Sequence, residues 1–509
     1  VTTGLHHVTA ITACVQANVD FYVGFLGLKL IKRTGGYEDA EQLHLFYGDA
    51  VGSPGSVVTF LVWEAGASGR VGHGLAAEIA FAVPAASIGD WLTRAMSARI
   101  PVEGPTREFG EPVLRLKDPD GVIIKLVGAA LPAAAPLADP IAPTRLRAVT
   151  LFTEKPEETA DFVARFGYRR GPVEGAVQRM ISDTDVVDVR AVTGYVPGVP
   201  GAGTIDHTAF RAPDVDAVRA MRLSLGKANG VTNVHDRQYF LSLYVRDPAG
   251  LLMEYATDAP GYTADEPLET LGEALLMPPG DAARAEDLKV MLPQFALPGE
   301  PRPPHRDLPF VHRFHTPEDP DGSVIVLLHG TGGNEADLMP LAHRLNPRAT
   351  LLGVRGRATE EGVNRWFRRF EPTRYDQADI RAEAGAFVAF VDGAVSGYGL
   401  DADRLTFLGF SNGANLLGAI LQLHPGLVRR AILIRAIQVL EAAPAADLAG
   451  ARVLLLTGAR DPFAEMAAGL ETALRQDGAE LDARIIEANH ALAPDDLVAA
   501  RDWLSTFAP

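Results

Sequence analysis

The chain has 509 residues, too many for one hydrophobic core, so several domains are expected. Hydrophobic residues make up 47% and charged residues 22%, which excludes a mainly disordered, collagenous or coiled-coil architecture. A formal charge of −17 argues against a nucleic-acid partner, because phosphate binding needs a basic face. The one cysteine, Cys14, cannot form an intrachain disulfide. No apolar run approaches the roughly 18 residues of a membrane span, and VTTGLHHVTA shows no leader pattern. A cytoplasmic protein acting on small molecules is the expectation, with no membrane partner.

In chain order, residues 1–257 read as four modules. Module A runs from the strand pattern LHHVTAIT through the helix pattern VDFYVGFLG to SVVTFLVW. Module B holds AAEIAFAV, ASIGDWLTRAMSA and PVLRLKDPDGVIIKLV. Module A′ opens with LRAVTLFT and EETADFVARFG, and module B′ holds IDHTAFRA, DVDAVRAMRLSLG and YFLSLYVRDPAGLLMEYA. An offset of 129 aligns Ala80, Phe81 and Pro84 with Ala209, Phe210 and Pro213, and the turn Asp118–Gly121 with Asp247–Gly250. An offset of 141 aligns Val8, Thr9 and Asp20 with Val149, Thr150 and Asp161. Each module is a strand–helix–strands unit, and the D-P-x-G turn marks a hairpin. The pattern predicts an α+β fold in two module pairs, 1–128 and 145–257, joined by the Ala/Pro-rich linker 128–144. Residues 258–304 read as a Pro-rich linker and tail, with a short helix over Ala283–Leu292.

The grammar changes at Ser323. Continuous apolar strands (VIVLLHG, ATLLGVRG, RLTFLGFS, RRAILIRA, RVLLLTGA) alternate with helical stretches such as GANLLGAILQLH. Strands buried on both faces and separated by helices predict a doubly wound, mostly parallel α/β sheet, in a domain spanning 305–509.

The repeats expose a metal constellation. His207 opens module B′ and Glu254 lies on its last strand; the equivalent positions in B are Glu78 and Lys125, a pair suited to a simple contact. His7 in A is matched by Ala148 in A′. If A and B′ face each other, His7, His207 and Glu254 converge. Two imidazoles and a carboxylate leave open positions, which suits non-haem Fe(II) binding substrate and O2; Zn(II), Ni(II) or Mn(II) would also accept the set.

A nucleophile constellation follows in the last third. Gly409-Phe410-Ser411-Asn412-Gly413 is a G-x-S-x-G between a strand and a helix. Asp461 and His490 each follow a later strand, giving the order Ser411, Asp461, His490. Ser411 would attack an acyl carbonyl, His490 would take its proton, and Asp461 would orient the imidazole. Backbone N–H groups of Thr331, in the loop after the first parallel strand, and of Asn412 would form an oxyanion hole.

The LHHVT, FYVGFLGLKLIKRT, DHTAF, DRQYFLSLYVRDPAG and LLMEYAT stretches together resemble the vicinal oxygen chelate superfamily, built of βαβββ modules, and most nearly its hydroquinone-type ring-cleaving dioxygenases. The resemblance covers about residues 1–295. It implies iron ligation by His7, His207 and Glu254, and further polar groups at His6, Thr9, Arg237 and Tyr244. Arg237 would hold developing negative charge, and His6 or Tyr244 would move a proton. Relatives often carry a His where this chain has Asp206, a carboxylate that disfavours an anionic ligand unless it is paired.

Residues 305–509 are similar to small carboxylesterases and phospholipases of the α/β-hydrolase fold, with Arg355–Pro372 matching a segment near the pocket mouth. The combined expectation is a bifunctional enzyme: an Fe(II)-dependent, extradiol-type dioxygenase acting on hydroquinone- or catechol-like aromatics, fused to a Ser-His-Asp carboxylesterase acting on an ester or acyl substrate. Joining two steps on one chain raises effective concentration if the sites lie close. The alternatives are a Zn- or Ni-dependent isomerase or thiol transferase, or a metal-free aromatic-binding module, each fused to an esterase. Module pairs of the superfamily it resembles often form homodimers, so the resemblance allows one here.

Overall fold

In the first part of the chain the modules assemble diagonally. A computed structural model describes residues 3–64, 66–131, 135–143, 145–226 and 230–507; residues 132–134 and 144 of the linker 128–144 lie outside these. Module A supplies Leu5–Thr12, Lys29–Gly35, Leu43–Gly48 and Val57–Val62. Module B′ supplies Ile205–Ala212, His235–Asp236, Phe240–Arg246 and Leu252–Pro260. One nine-stranded sheet contains both sets, joined where Leu5–Thr12 runs antiparallel to Ile205–Ala212. Modules B and A′ form an eight-stranded sheet in the same way, through Ala76–Val83 and Arg145–Thr153.

This brings A and B′ together, as the metal reading requires, but departs from the module-pair boundaries 1–128 and 145–257. A module's first strand is an open edge, and it is closed here by the first strand of the diagonal partner. Neither 1–128 nor 145–257 completes a sheet alone, and both belong to one unit, Val1–Ala285 with Phe295–Pro301.

The segment read as a linker and tail is likewise built into folded units. Leu275–Leu276 adds a ninth strand beside Lys29–Gly35. Asp265 and Glu266 each lie 2.6 Å from the ammonium of buried Lys32. Proline density excludes long elements but not short edge strands and single turns. The expected helix is Ala285–Met291, and Glu286–Gln294 joins the second unit.

Each central antiparallel pair carries two β-bulges. In the nine-stranded sheet His6 and Asp206 are the extra residues, because Leu5 and His7 face Phe210 and Ala209, while Thr9 and Ala10 face His207 and Ile205. In the eight-stranded sheet the extra residues are Ala77 and Arg147. A bulge re-aims the side chain of the residue it carries, and this positions the site.

The second unit is a seven-stranded sheet ordered His312–His315, Thr350–Val354, Val324–Leu328, Leu405–Phe410, Arg430–Ile434, Arg452–Gly458 and Glu480–Ile486. All neighbours pair in parallel except the first strand. That antiparallel edge strand lies ahead of Ser323, where the strand pattern becomes readable, because four half-buried residues give no usable periodicity. Helices Gln377–Tyr398 and Asn412–Leu423 bury Phe387, Phe390, Leu417 and Ile420 against the sheet. No helix among the described residues is long and apolar enough to cross a membrane.

Candidate functional site

Register alone puts His7, Thr9, His207, Tyr244 and Glu254 on one sheet face. His207 opposes Thr9, two residues from His7; Glu254 pairs with Ala209, two residues from His207; and Tyr244 pairs with Glu254. The ligand-capable atoms of His7, His207 and Glu254 lie within 4.8 Å of one another, and all three residues are buried. The Nε2 atoms of His7 and His207 each lie 3.1 Å from Glu254 Oε2.

The two imidazoles have their tautomers set from behind. His6 Nε2 is 3.1 Å from the Thr257 carbonyl, which can only accept, so His6 donates there and presents a bare Nδ1. His7 Nδ1 lies 2.8 Å from that atom and donates to it, leaving the His7 Nε2 lone pair toward Glu254. His207 Nδ1 donates to Asp206 Oδ2 at 2.7 Å, leaving its Nε2 lone pair toward the same carboxylate. Both supports are the bulged residues. A regular strand would send His6 and Asp206 to the opposite face from their neighbours.

Lone pairs thus converge on an anion. His207 Nε2 and both Glu254 oxygens are buried without a hydrogen-bond partner. Burial pushes the His6 imidazolium pKa down to about 3, and it lowers that of His7 as well. At His207 burial is outweighed by Asp206 and Glu254, which lift its pKa to about 9. Glu254 is held well below the usual carboxylate range by the two histidines, against its burial. The position that a proton fills on His207 is the position a divalent cation would take, and the residues fit one.

A cavity of about 360 Å3 opens over this cluster, lined by His44, Thr9, Arg237 and Tyr244 among others. The Tyr244 ring meets the His207 edge at 5.3 Å. The Arg237 guanidinium lies over the rings of Tyr37 and Tyr244 and pairs with Glu38 at 2.5 Å, not with Asp236. His6 does not line the cavity, and both its ring nitrogens are engaged.

In the eight-stranded sheet the equivalent positions hold an ion pair, Lys125 to Glu78 at 3.0 Å, with Arg115 also on Glu78. Thr150 Oγ1 donates to the same carboxylate. Internal charge pairing there takes the place of a ligand set.

The second unit brings together Ser411, His490 and Asp461. Ser411 Oγ donates to His490 Nε2 at 2.8 Å, and His490 Nδ1 donates to Asp461 Oδ2 at 2.9 Å. Ser411 sits at φ +50°, in the strained turn between Leu405–Phe410 and Asn412–Leu423. The flanking glycines serve space. A Cβ on Gly413 would lie 2.2 Å from the Leu328 carbonyl oxygen, and one on Gly409 would lie 2.7 Å from Ala414 N. Thr331 and Asn412 line the adjacent cavity of about 250 Å3. Trp366 N donates to Asn412 Oδ1 at 2.8 Å and Trp366 Nε1 to the His329 carbonyl at 2.9 Å, tying the loop before Thr331 to the turn after Ser411.

Residues 4–126 match the Glyoxalase/Bleomycin resistance protein/Dioxygenase superfamily. MhqO of Bacillus subtilis (strain 168), named for ring-cleaving dioxygenase activity, is 34% identical over 311 residues, 59% of this chain and 98% of its own length. The chlorohydroquinone/hydroquinone 1,2-dioxygenase of Sphingobium indicum is 30% identical over 309 residues, 57% of this chain and 95% of its own. The chain belongs to the ring-cleaving dioxygenases of this superfamily. The remainder matches a second family: MhqD of Bacillus subtilis (strain 168), named a hydrolase, is 33% identical over 183 residues, 36% of this chain and 92% of its own. A solved carboxylesterase from Mesorhizobium loti is 45% identical, covering 40% of this chain and 98% of its own at a TM-score of 0.39. By its likeness to MhqD, the chain also carries a member of that hydrolase family.

The roles of three further residues at this cluster are not given by the sequence reading. Asp206 is a support of His207 rather than a bare charge beside the ligands. His44 lines the cavity, with Nε2 2.9 Å from Thr59 Oγ1, which in turn lies 2.9 Å from Thr9 Oγ1. Glu38 pairs with Arg237 from a largely exposed position. His44 lies in the alternating strand LHLFYG, so its face was available as a signal. The partners of Asp206 and Arg237 depend on a bulge and a long-range contact.

Proposed function

We propose that the first unit cleaves a hydroquinone- or catechol-like ring with O2 at an Fe(II) held by His7, His207 and Glu254. The second hydrolyses a carboxylic ester through Ser411, His490 and Asp461. The observation that carries the first reading is the buried Glu254 carboxylate facing two imidazole lone pairs whose tautomers are fixed by His6 and Asp206. A bound divalent cation lowers the pKa of a phenolic hydroxyl, and Fe(II) with open positions also binds O2. The protein's own part is orientation. Phe240 packs on His6 and His7, Arg237 sets positive charge at the cavity wall, and Tyr244 offers a hydroxyl whose pKa burial raises, so it stays a proton donor. His6, with both nitrogens engaged, holds His7 rather than carrying protons to substrate.

In the hydrolase the hydrogen-bond order supports Ser411 as nucleophile. Ser411 Oγ adds to the carbonyl as its proton passes to His490 Nε2, and Asp461 stabilises the imidazolium. The alcohol leaves with that proton. Water then divides the acyl-enzyme into a carboxylic acid and free Ser411.

Oxygen uptake by chain reconstituted anaerobically with Fe(II) tests the dioxygenase, with hydroquinone, methylhydroquinone and catechol supplied in turn. Uptake matching the loss of aromatic absorbance is expected, and its loss in His207→Ala. Metal bound without uptake on any of the three would overturn the assignment. For the hydrolase, a fluorophosphonate probe is expected to label the native chain and not Ser411→Ala.

A further inference from the structure

The pocket beside Ser411 carries more positive charge than the fold accounts for. Three guanidinium groups line it, those of Arg365, Arg369 and Arg435. Arg435 is fully neutralised, donating to both oxygens of Asp496 at 2.8 and 2.9 Å with both side chains buried. Arg365 and Arg369 share a single carboxylate. Glu360 accepts from Arg369 at 2.9 and 3.1 Å, and Arg365 Nε reaches the same group only at 3.4 Å. Beyond that, the hydrogen bonds of Arg365 go to neutral groups, Thr331 Oγ1 at 3.0 Å and the Phe367 carbonyl at 3.4 Å. Its side chain is 4% exposed, whereas that of Glu360 is 41% exposed. A buried cation with half a counter-ion favours an incoming anion strongly. Burial and the neighbouring Arg369 both lower the Arg365 pKa, as expected of a cation short of negative charge.

These arginines are held in place. Trp366 and Phe367, between them in sequence, are fully buried, and the backbone of Trp366 is bonded to Asn412. Arg365 also touches Thr331, which lines the same small cavity as Ser411. An anion bound there would occupy the same cavity as a carbonyl at Ser411.

From this we infer that the hydrolase takes a short ester or lactone carrying its own carboxylate, bound by Arg365 and Arg369 beside the scissile carbonyl. The inference rests on the reading of Ser411 as nucleophile. The bond broken is still the acyl C–O bond, water supplies hydroxyl to the acyl carbon and a proton to the leaving alcohol, and nothing is oxidised or reduced.

The test compares kcat/KM of the full chain on 4-nitrophenyl hemiglutarate and on the neutral 4-nitrophenyl valerate. The native chain is expected to favour the anionic ester about tenfold or more, the range of one charge-assisted hydrogen bond. Arg369→Gln should lower that ratio about tenfold, while Glu360→Gln, which frees both cations, should raise it. Added salt should lower it too. A preference for the neutral ester, or a ratio that neither Glu360→Gln nor salt moves, would overturn the inference, even if Arg369→Gln fails to fold. Ser411→Ala separates the two readings. If it abolishes both activities while the native chain and its other variants show no preference for the anionic ester, the triad stands and the anion site falls; if both activities survive it, the nucleophile is elsewhere.

Discussion

Asp206 and His6 act as a matched pair. Each holds the outer nitrogen of a neighbouring histidine, one with a carboxylate and one with a relayed carbonyl. A histidine ligand whose rear nitrogen is bonded is fixed in tautomer and rotamer, and such supports are worth roughly 10–100-fold in metal affinity. Asp206→Ala is therefore expected to weaken divalent-metal binding by about that factor, in competition with a chromophoric chelator, with the circular dichroism spectrum unchanged. His7, His207 and Glu254 were legible because the internal repeat supplied a control, Ala148, Glu78 and Lys125, at the same positions. Asp206 was legible only as an oddity. Its role depends on a bulge, and a one-residue register shift leaves no mark in the pattern of side chains.

Two elements of the hydrolase carry more than their own stability. In the turn at Ser411, Gly413 passes against the Leu328 carbonyl with no room for a methyl group. Gly413→Ala should cost about 1–3 kcal/mol or more, seen as a lower melting temperature for the second unit. The loop bearing His490 is held by Arg435, which donates to the carbonyls of Asn489 and Ala491 while Asp496 neutralises it. Asp496→Ala leaves that cation buried and unpaired, at a cost of about 3–5 kcal/mol. Denaturant unfolding should register the loss, together with a fall in fluorophosphonate labelling as His490 loosens. The strands and helices of this unit follow from apolar runs and helical periodicity. The Arg435–Asp496 pair does not, because two charged residues 61 positions apart show no pattern until the chain is folded.

At the scale of the whole molecule, one fold built from four similar modules treats its two sheets differently. The A and B′ sheet gathers two imidazoles and a carboxylate with unanswered lone pairs, while the B and A′ sheet answers the same positions with Lys125, Arg115 and Glu78. The sequence repeat foretold this contrast, but the division into domains needed the sheet pairing, since nothing in a module says which partner closes its open edge. Extradiol opening of a dihydroxylated ring would leave one carboxyl and one carbonyl group, so the product proposed for the first unit would carry the kind of anion proposed for the second. We propose that only the A and B′ sheet holds a metal. An anaerobic Fe(II) titration of the purified chain, counting tightly bound equivalents, decides this. One equivalent per chain is predicted, falling to none in Glu254→Ala and unchanged in Glu78→Ala; two equivalents, or one that survives Glu254→Ala, would contradict the account.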